Sequence, residues 1–217
     1  MRVIFLGAPG SGKGTQAKLL QAAMGIPQLS TGDLLRKAVR LKTAIGREAE
    51  QFMDAGELVP DDLVIALILE RMKNKDCEKG FILDGFPRTL AQAQALEAAL
   101  EKVKKPIRAV IDLRIDDKKM VERLVGRRIC PKGHGEWHIK FHPPNHENEC
   151  DVCGLDLIHR EDDYEEQIVT RLEAYHRQTE PLSMFYQGRG ILYPIKAEGD
   201  INEISEAIRA VVTSAVE

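Results

Sequence analysis

The segment Gly7-Ala8-Pro9-Gly10-Ser11-Gly12-Lys13-Gly14-Thr15 constrains this chain more than any other. It follows residues 3–6, Val-Ile-Phe-Leu, a wholly apolar run that predicts a strand buried on both faces. It leads into residues 13–24, where Ala17, Leu20 and Met24 recur at helical spacing and Gly25 supplies a stop. In a strand–loop–helix unit of this kind, glycines let the backbone turn so tightly that successive N–H groups converge on phosphate oxygens. The helix N-terminus adds its dipole, and Lys13 adds a full positive charge aimed at β and γ phosphates. A merely structural glycine-rich turn has no use for that lysine. The general pattern G-x-x-x-x-G-K-[ST] is met with one departure: Gly14 takes the Ser/Thr position and Thr15 follows it. Gly10, Ser11, Gly12, Lys13, Gly14 and Thr15 are thus the expected phosphate contacts.

Downstream, strand and helix signals alternate. Ser30 and Thr31 can cap a helix carrying Leu34, Leu35, Ala38 and Val39, and a third helix is expected over about 45–55, ending at Gly56. Pro60 and Asp61 start a fourth. Residues 81–83 predict a buried strand closed by Asp84-Gly85, then 89–100 a helix, 109–113 a strand, and 118–125 a helix capped by Asp116 or Asp117. A helix over 164–186 should break or kink near Pro181. Residues 191–195 read as a strand, with Pro194 placing it at an edge, and 201–216 as a final amphipathic helix. This order predicts an α/β fold, a P-loop doubly wound parallel sheet with helices on both faces. Its 217 residues suit one large domain, or one domain with a small insertion. The insertion is visible at 128–159, which holds three of the four cysteines, five of the six histidines and Pro131, Pro143 and Pro144 without helical period. A small unit of irregular and β structure is expected there rather than a long loop.

Thirty-one Lys and Arg against 34 Asp and Glu give a net charge of −3, which lacks the basic footprint of a duplex nucleic-acid binder. A few well-placed arginines still suffice for a small anion. No apolar run approaches the ~20 residues that cross a bilayer, and no signal-peptide core opens the chain. The expectation is a cytoplasmic protein with no nucleic-acid or membrane partner, whose cysteines are reduced or metal-bound.

The phosphate loop with glycine before threonine resembles that of adenylate kinases. Further matches follow in order: Ser30-Thr31-Gly32-Asp33-Leu34-Leu35-Arg36, Gly56-Glu57-Leu58-Val59-Pro60-Asp61, Leu83-Asp84-Gly85-Phe86-Pro87-Arg88-Thr89, Gly126-Arg127-Arg128, Phe141-His142-Pro143-Pro144, Arg160-Glu161-Asp162-Asp163, and Arg171. The resemblance spans residues 1 to about 200, including a long lid. It implies a monomer that transfers a phosphoryl group from Mg·ATP to AMP, giving two ADP. It divides the chain into a core (1–29, 60–126 and 161–217), an AMP-binding segment (30–59) and a lid (127–160). Lys13, Arg88, Arg127, Arg160 and Arg171 would be catalytic, since guanidinium is always charged and binds phosphate bidentately. Thr31, Arg36, Glu57, Leu58, Val59, Gly85, Phe86, Pro87, Arg88, Gln92, Arg160 and Arg171 would form the AMP site. Arg127, Glu136, Trp137 and Gly199 would join the loop residues at ATP. Asp84 would anchor Mg²⁺ through waters, as Mg²⁺ keeps much of its hydration; a turn cap is the plainer role for it. A kinase of another nucleoside monophosphate remains an alternative, with Thr31 and Gln92 as the discriminating residues.

Cys130-x3-His134-x15-Cys150-x2-Cys153 offers four soft ligands at a spacing that suits a tetrahedral structural Zn²⁺ site. Related lids often carry Cys-x2-Cys at both ends; here Gly133 stands where a thiolate is expected, leaving His134 as the substitute and His138 as its competitor. The Trp137-His138 pair matches an aromatic–histidine pair of metal-free lids, which favours a packing role for His138. A redox role for Cys150 and Cys153 lacks the thioredoxin-like context, and Cys77 reads as an inert thiol. The run from Glu161 to Glu166 reads mainly as a solvated helix start, with Asp162 or Asp163 assisting the arginines as the lesser reading. A nucleic-acid-gripping switch protein is disfavoured, because only Lys132 and Lys140 are basic in 130–159 beside the histidines.

Overall fold

A computed structural model describes residues 1–215, so Val216, the expected end of the last helix, lies outside the described residues. The chain runs β1 (Arg2–Gly7), α1 (Lys13–Met24), β2 (Gln28–Ser30), α2 (Thr31–Arg40), α3 (Ala44–Asp54), α4 (Asp61–Arg71), β3 (Phe81–Asp84), α5 (Leu90–Lys102), β4 (Ala109–Arg114) and α6 (Asp117–Val125). A hairpin of β5 (Arg127–Ile129) and β6 (Glu136–His138) follows, then α7 (Glu165–Ala174), a π-helical turn (Tyr175–Thr179), α8 (Leu182–Gln187), β7 (Leu192–Lys196) and α9 (Ile201–Ser214).

Among the described residues the main sheet has the order β2-β3-β1-β4-β7, and every neighbouring pair is parallel. Val3 of β1 stands opposite Ile82 of β3 and Ala109 of β4. Alternate side chains of a strand point to opposite faces, and both faces are covered here. Ile4 and Leu6 pack with Val64 and Ile68 of α4, Leu96 of α5 and Tyr186 of α8, while Val3 and Phe5 pack with Ala17 and Leu20 of α1 and Ile208 and Val212 of α9. The doubly wound expectation is met, and the apolar strand runs have their cause in this two-sided burial.

Caps fall where small polar side chains precede helices. Ser30 accepts from the Asp33 N–H, Thr89 from that of Gln92, Asp116 from that of Lys118, and Asp200 from those of Asn202 and Glu203.

One feature departs from the sequence expectation, and two expectations take definite form. β2 has only three residues, two of them polar, and owes its strand to pairing of Leu29 with Leu83 rather than to an apolar pattern. The 164–186 helix breaks at the π-helical turn, before Pro181, which instead flanks the start of α8. The hairpin β5–β6 gives the insertion an antiparallel spine, joined by bridges between Ile129 and Ile158 and between Glu149 and Asp156. Cys130, Trp137, Cys150 and Leu157 form its separate small core.

Because Asp200 satisfies two otherwise free N–H groups of α9, Asp200→Ala should cost about 1 kcal/mol. A thermal melt should show Tm lowered by about 2–4 °C.

Candidate active site

Open parallel sheets bind ligands beyond the C-terminal ends of their strands. There the β1–α1 loop, α2, the β3–α5 loop and the hairpin insertion enclose a cleft of about 1320 Å³. That exceeds the roughly 300–1,000 Å³ of a single small-molecule site.

Gly12 caps α1 in the left-handed region, φ 91°, a turn that a side chain would strain. It brings Lys13 back over its own loop, where Nζ donates to the Gly7 carbonyl (2.6 Å) and the Ala8 carbonyl (2.7 Å). Burial pushes the Lys13 ammonium down to about 7; Asp84 opposes the shift, while Arg88, Arg171 and Arg127 add to it. An anion at the loop would restore the charge. Asp84 ends β3 and lies almost wholly buried; its Oδ2 accepts from Gln28 Nε2 at 2.8 Å and faces the Gly14 backbone. Burial raises its pKa against the pull of Lys13. A buried carboxylate beside the phosphate loop, with Lys13 and Arg88 near it, fits a hydrated divalent ion.

The residues expected to hold the acceptor border the same cleft. Thr31 is buried and its Oγ1 donates to the Gly85 carbonyl at 2.7 Å. Gln92, 2% exposed, accepts the Arg88 N–H at its Oε1 (2.7 Å), and its Nε2 donates to Asp61 Oδ1 (2.7 Å), while Thr89 Oγ1 donates to the other Asp61 oxygen. Glu57, Leu58, Val59, Gly85 and Pro87 line the cleft, whereas the Phe86 side chain belongs to the core beneath it. Asp61, which sequence reasoning placed at a helix start and at the end of a matched motif without giving it a role at the site, is the hub of this network.

The arginines converge from separate elements. Arg88 donates from Nε to the Gly85 carbonyl (2.9 Å), and Arg36 pairs with Asp33 at 2.6 Å. Arg127, at the foot of β5, makes two bonds to Asp163, 2.7 and 2.6 Å, and Arg171 of α7 donates to the same carboxylate at 2.7 Å. Arg160 pairs with Glu136. Burial, then Arg171, push Arg88 down to about 10 despite Asp84. Burial would lower Arg127 too, but the bonds and charge of Asp163 outweigh it and hold it above its ordinary value. Asp163 is fully buried and Asp162 partly so, as the lesser reading of this acidic run has it, while Glu161, Tyr164, Glu165 and Glu166 are exposed and fit the solvated reading.

At the far end of the cleft stand Gly199, after β7, and Arg123 of α6, whose Nη2 donates to the Ala197 carbonyl at 3.0 Å. Arg123 escaped the sequence reading, although it lies one helical turn before Arg127 and beside the buried Met120 and Leu124. Trp137 lies in the small core of the insertion and its Nε1 donates to Asp151 at 2.9 Å.

Cys130, His134, Cys150 and Cys153 bring their ligand atoms within 4.8 Å of one another. Sγ of Cys130 lies 3.5 Å from His134 Nδ1 and 3.6 Å from Cys153 Sγ, and Cys150 Sγ lies 3.8 Å from His134 Nδ1. A tetrahedral ion with bonds of about 2.0–2.3 Å would set such edges at about 3.5–3.8 Å, so the donor set fits zinc. His138 is outside this group, with both ring nitrogens engaged elsewhere.

What such a cleft can do is neutralise and align two chains of phosphates, which is the work of a P-loop nucleotide phosphotransferase. Comparison with known proteins narrows that class. The adenylate kinase family model matches residues 5–191. The adenylate kinase of Archaeoglobus fulgidus is 48% identical over 212 residues, 98% of each chain. That of Thermodesulfovibrio yellowstonii is 48% identical over 212 residues, 98% of this chain and 99% of its own, and that of Caldicellulosiruptor bescii 46% over 208 residues, 96% and 97%. The chain belongs to the adenylate kinase family.

Replacing Asp163 by Asn would leave Arg127 and Arg171 buried without their shared counter-charge. Loss of about 3–5 kcal/mol is expected, read as a lowered urea midpoint; an unchanged midpoint would remove Asp163 as the keystone of the cluster.

Proposed function

We propose that the residues gathered around this cleft carry out the family's reaction, Mg·ATP + AMP ⇌ 2 ADP, in the roles that follow. The observation that carries the reading is that Lys13, Arg88, Arg127 and Arg171, drawn from four different elements, all line one cleft. Phosphoryl transfer asks a protein for alignment and charge stabilisation more than for covalent chemistry. The loop from Gly10 to Thr15 holds the donor phosphates by backbone N–H groups and the α1 dipole. Lys13, Arg88, Arg127, Arg160 and Arg171 bind the transferring group and its neighbours, and Glu136 or Asp163 releases its arginine as phosphate arrives. Arg36 and Arg88 hold the acceptor phosphate, with Thr31, residues 57–59 and 85–87, and Gln92 around the acceptor base. Gln92 does this while fixing the Arg88 backbone, so selectivity and phosphate binding are joined in one side chain. Arg123 offers its guanidinium plane, and Trp137 and Gly199 their backbone, to the donor nucleoside. Mg²⁺, when bound, offsets phosphate charge, and Asp84 would hold its hydration shell.

On this reading residues 1–29, 60–126 and 161–217 are the core, 30–59 the AMP-binding segment and 127–160 a lid that excludes water. The lid's core is four side chains, too little to hold a fold alone, and Zn²⁺ on Cys130, His134, Cys150 and Cys153 would supply the rest. No helix among the described residues is long and apolar enough to cross a membrane. We take the chain as a cytoplasmic monomer acting on ATP, AMP and ADP without nucleic acid, the last in keeping with its near-balanced charge.

ADP formation from Mg·ATP with AMP, GMP, CMP and UMP tests the assignment. Selective transfer to AMP is expected, whereas preference for another monophosphate would overturn Thr31 and Gln92 as adenine selectors. Lys13→Ala should lower kcat on the order of a hundredfold to a thousandfold with the fold intact, and near-normal turnover would remove Lys13 from the transfer step. For the lid, atomic absorption should find one zinc per wild-type chain, none in His134→Ala, and wild-type content in His138→Ala; loss in the last variant alone would exchange the two histidines.

A further inference from the structure

His138 is 9% exposed, borders the cleft beside Trp137 and lies outside the metal cluster. It ends β6, where the lid hairpin returns to the core. Its Nδ1 faces two backbone donors, the N–H groups of Lys140 and Phe141, both at 3.0 Å, so that nitrogen carries a lone pair. Nε2 therefore bears the proton and donates to the Glu122 carbonyl in the last turn of α6 at 3.2 Å. The ring lies so close to Gly126 that a Cβ there would stand 2.3 Å from Nε2 and 2.4 Å from Cε1. Beside it, the Ile139 N–H donates to the Gly126 carbonyl at 3.0 Å and Lys140 pairs with Glu122 at 2.5 Å. Three short links thus join the base of the lid to one helical turn, and the imidazole spans the joint.

We propose that His138 is a positioning residue for the donor nucleotide: a neutral imidazole that pins the lid to the end of α6, so that protonation loosens the lid and weakens ATP binding while leaving AMP binding intact. That turn carries Arg123, and Arg127 begins at its end, so the pin sets where two donor-side cations stand. The charged or titratable groups facing the ring are Glu122 and Arg123 from α6, Arg127 and Arg128 from β5, and Lys140 and His142 from the turn beyond β6. Glu122 is the one anion of the six and already pairs with Lys140. A proton on Nδ1 would set N–H against two N–H donors. Burial, chiefly, holds the imidazole below its ordinary pKa, so it is neutral at pH 7, and the loss sets in on the acid side of about 6.5.

The inference rests on the adenylate kinase reading, which wild-type ADP formation at pH 7.5 checks by itself. The test measures KM for ATP and for AMP from pH 5 to 8 in wild type, His138→Gln and Gly126→Ala, with emission of Trp137, the single tryptophan, reporting the lid core. His138→Gln and Gly126→Ala should raise KM for ATP about tenfold at pH 7.5, as for one or two lost hydrogen bonds, with KM for AMP changed less than about twofold. In wild type, KM for ATP should climb as pH falls below about 6.5, and in His138→Gln it should not change with pH beyond the change due to ATP itself and to the loop lysine Lys13, measured by direct binding to an unrelated P-loop protein. Equal KM values for ATP in wild type and both variants, or parallel pH profiles, would overturn the proposal. If Trp137 emission shows the variants' lids unfolded, the wild-type profile decides, taken over the pH range where that emission is native: a flat KM for ATP, after the same correction, overturns it.

Discussion

Like charges crowded into a cleft repel one another, and the rest of this structure answers that constraint. Arg127 and Arg171 share Asp163, Arg160 has Glu136, Arg36 has Asp33, and Lys13 leans on its own loop carbonyls with Asp84 nearby. Each acid sits on a different element from its partner or a turn away from it. A small shift of α7 or of the hairpin therefore changes several pairings together. Arg127, Arg171, Arg160 and Arg36 are thus each held by a carboxylate, while Lys13 and Arg88 rest on backbone carbonyls.

Much of this architecture was legible in the residues. The apolar run before the glycine-rich loop, the caps at Ser30 and Asp116, and the edge position of Pro194 all follow from local physics and reappear in the fold. Illegible features had non-local causes. β2 exists because β3 offers it a partner, and Gln28 and Ser30 carry no strand signal of their own. Asp163 looks like its exposed neighbours until α7 is docked, when it alone of the run is enclosed between two arginines. At the site, the phosphate loop announced itself, while Arg123 and Asp61 resembled ordinary helix residues because their partners come from distant segments, Ala197 and Gln92.

The insertion shows how a small unit is made rigid by chemistry rather than size. Its spine is a hairpin of three-residue strands, and its core is largely sulfur and one indole. Cys130 and Cys150 serve both as packing and as candidate ligands, so metal and core are not separate supports. The same economy places Trp137 between the core and the cleft.

The π-helical turn at Tyr175–Thr179 has a different significance. A turn with one residue more than an α-helix requires lets Thr179 Oγ1 donate to the Arg88 carbonyl at 2.9 Å while α8 still packs Leu182 and Tyr186 beneath the sheet. Removing one residue there would convert the segment to plain α-helix and swing everything after it by about 100°, so either the arginine loop or the core would lose its contact. Exchanges of side chain leave that geometry in place, but changes of length do not. The spacing between Ala174 and Leu182 is therefore under a stricter rule than the identities of the exposed residues within it.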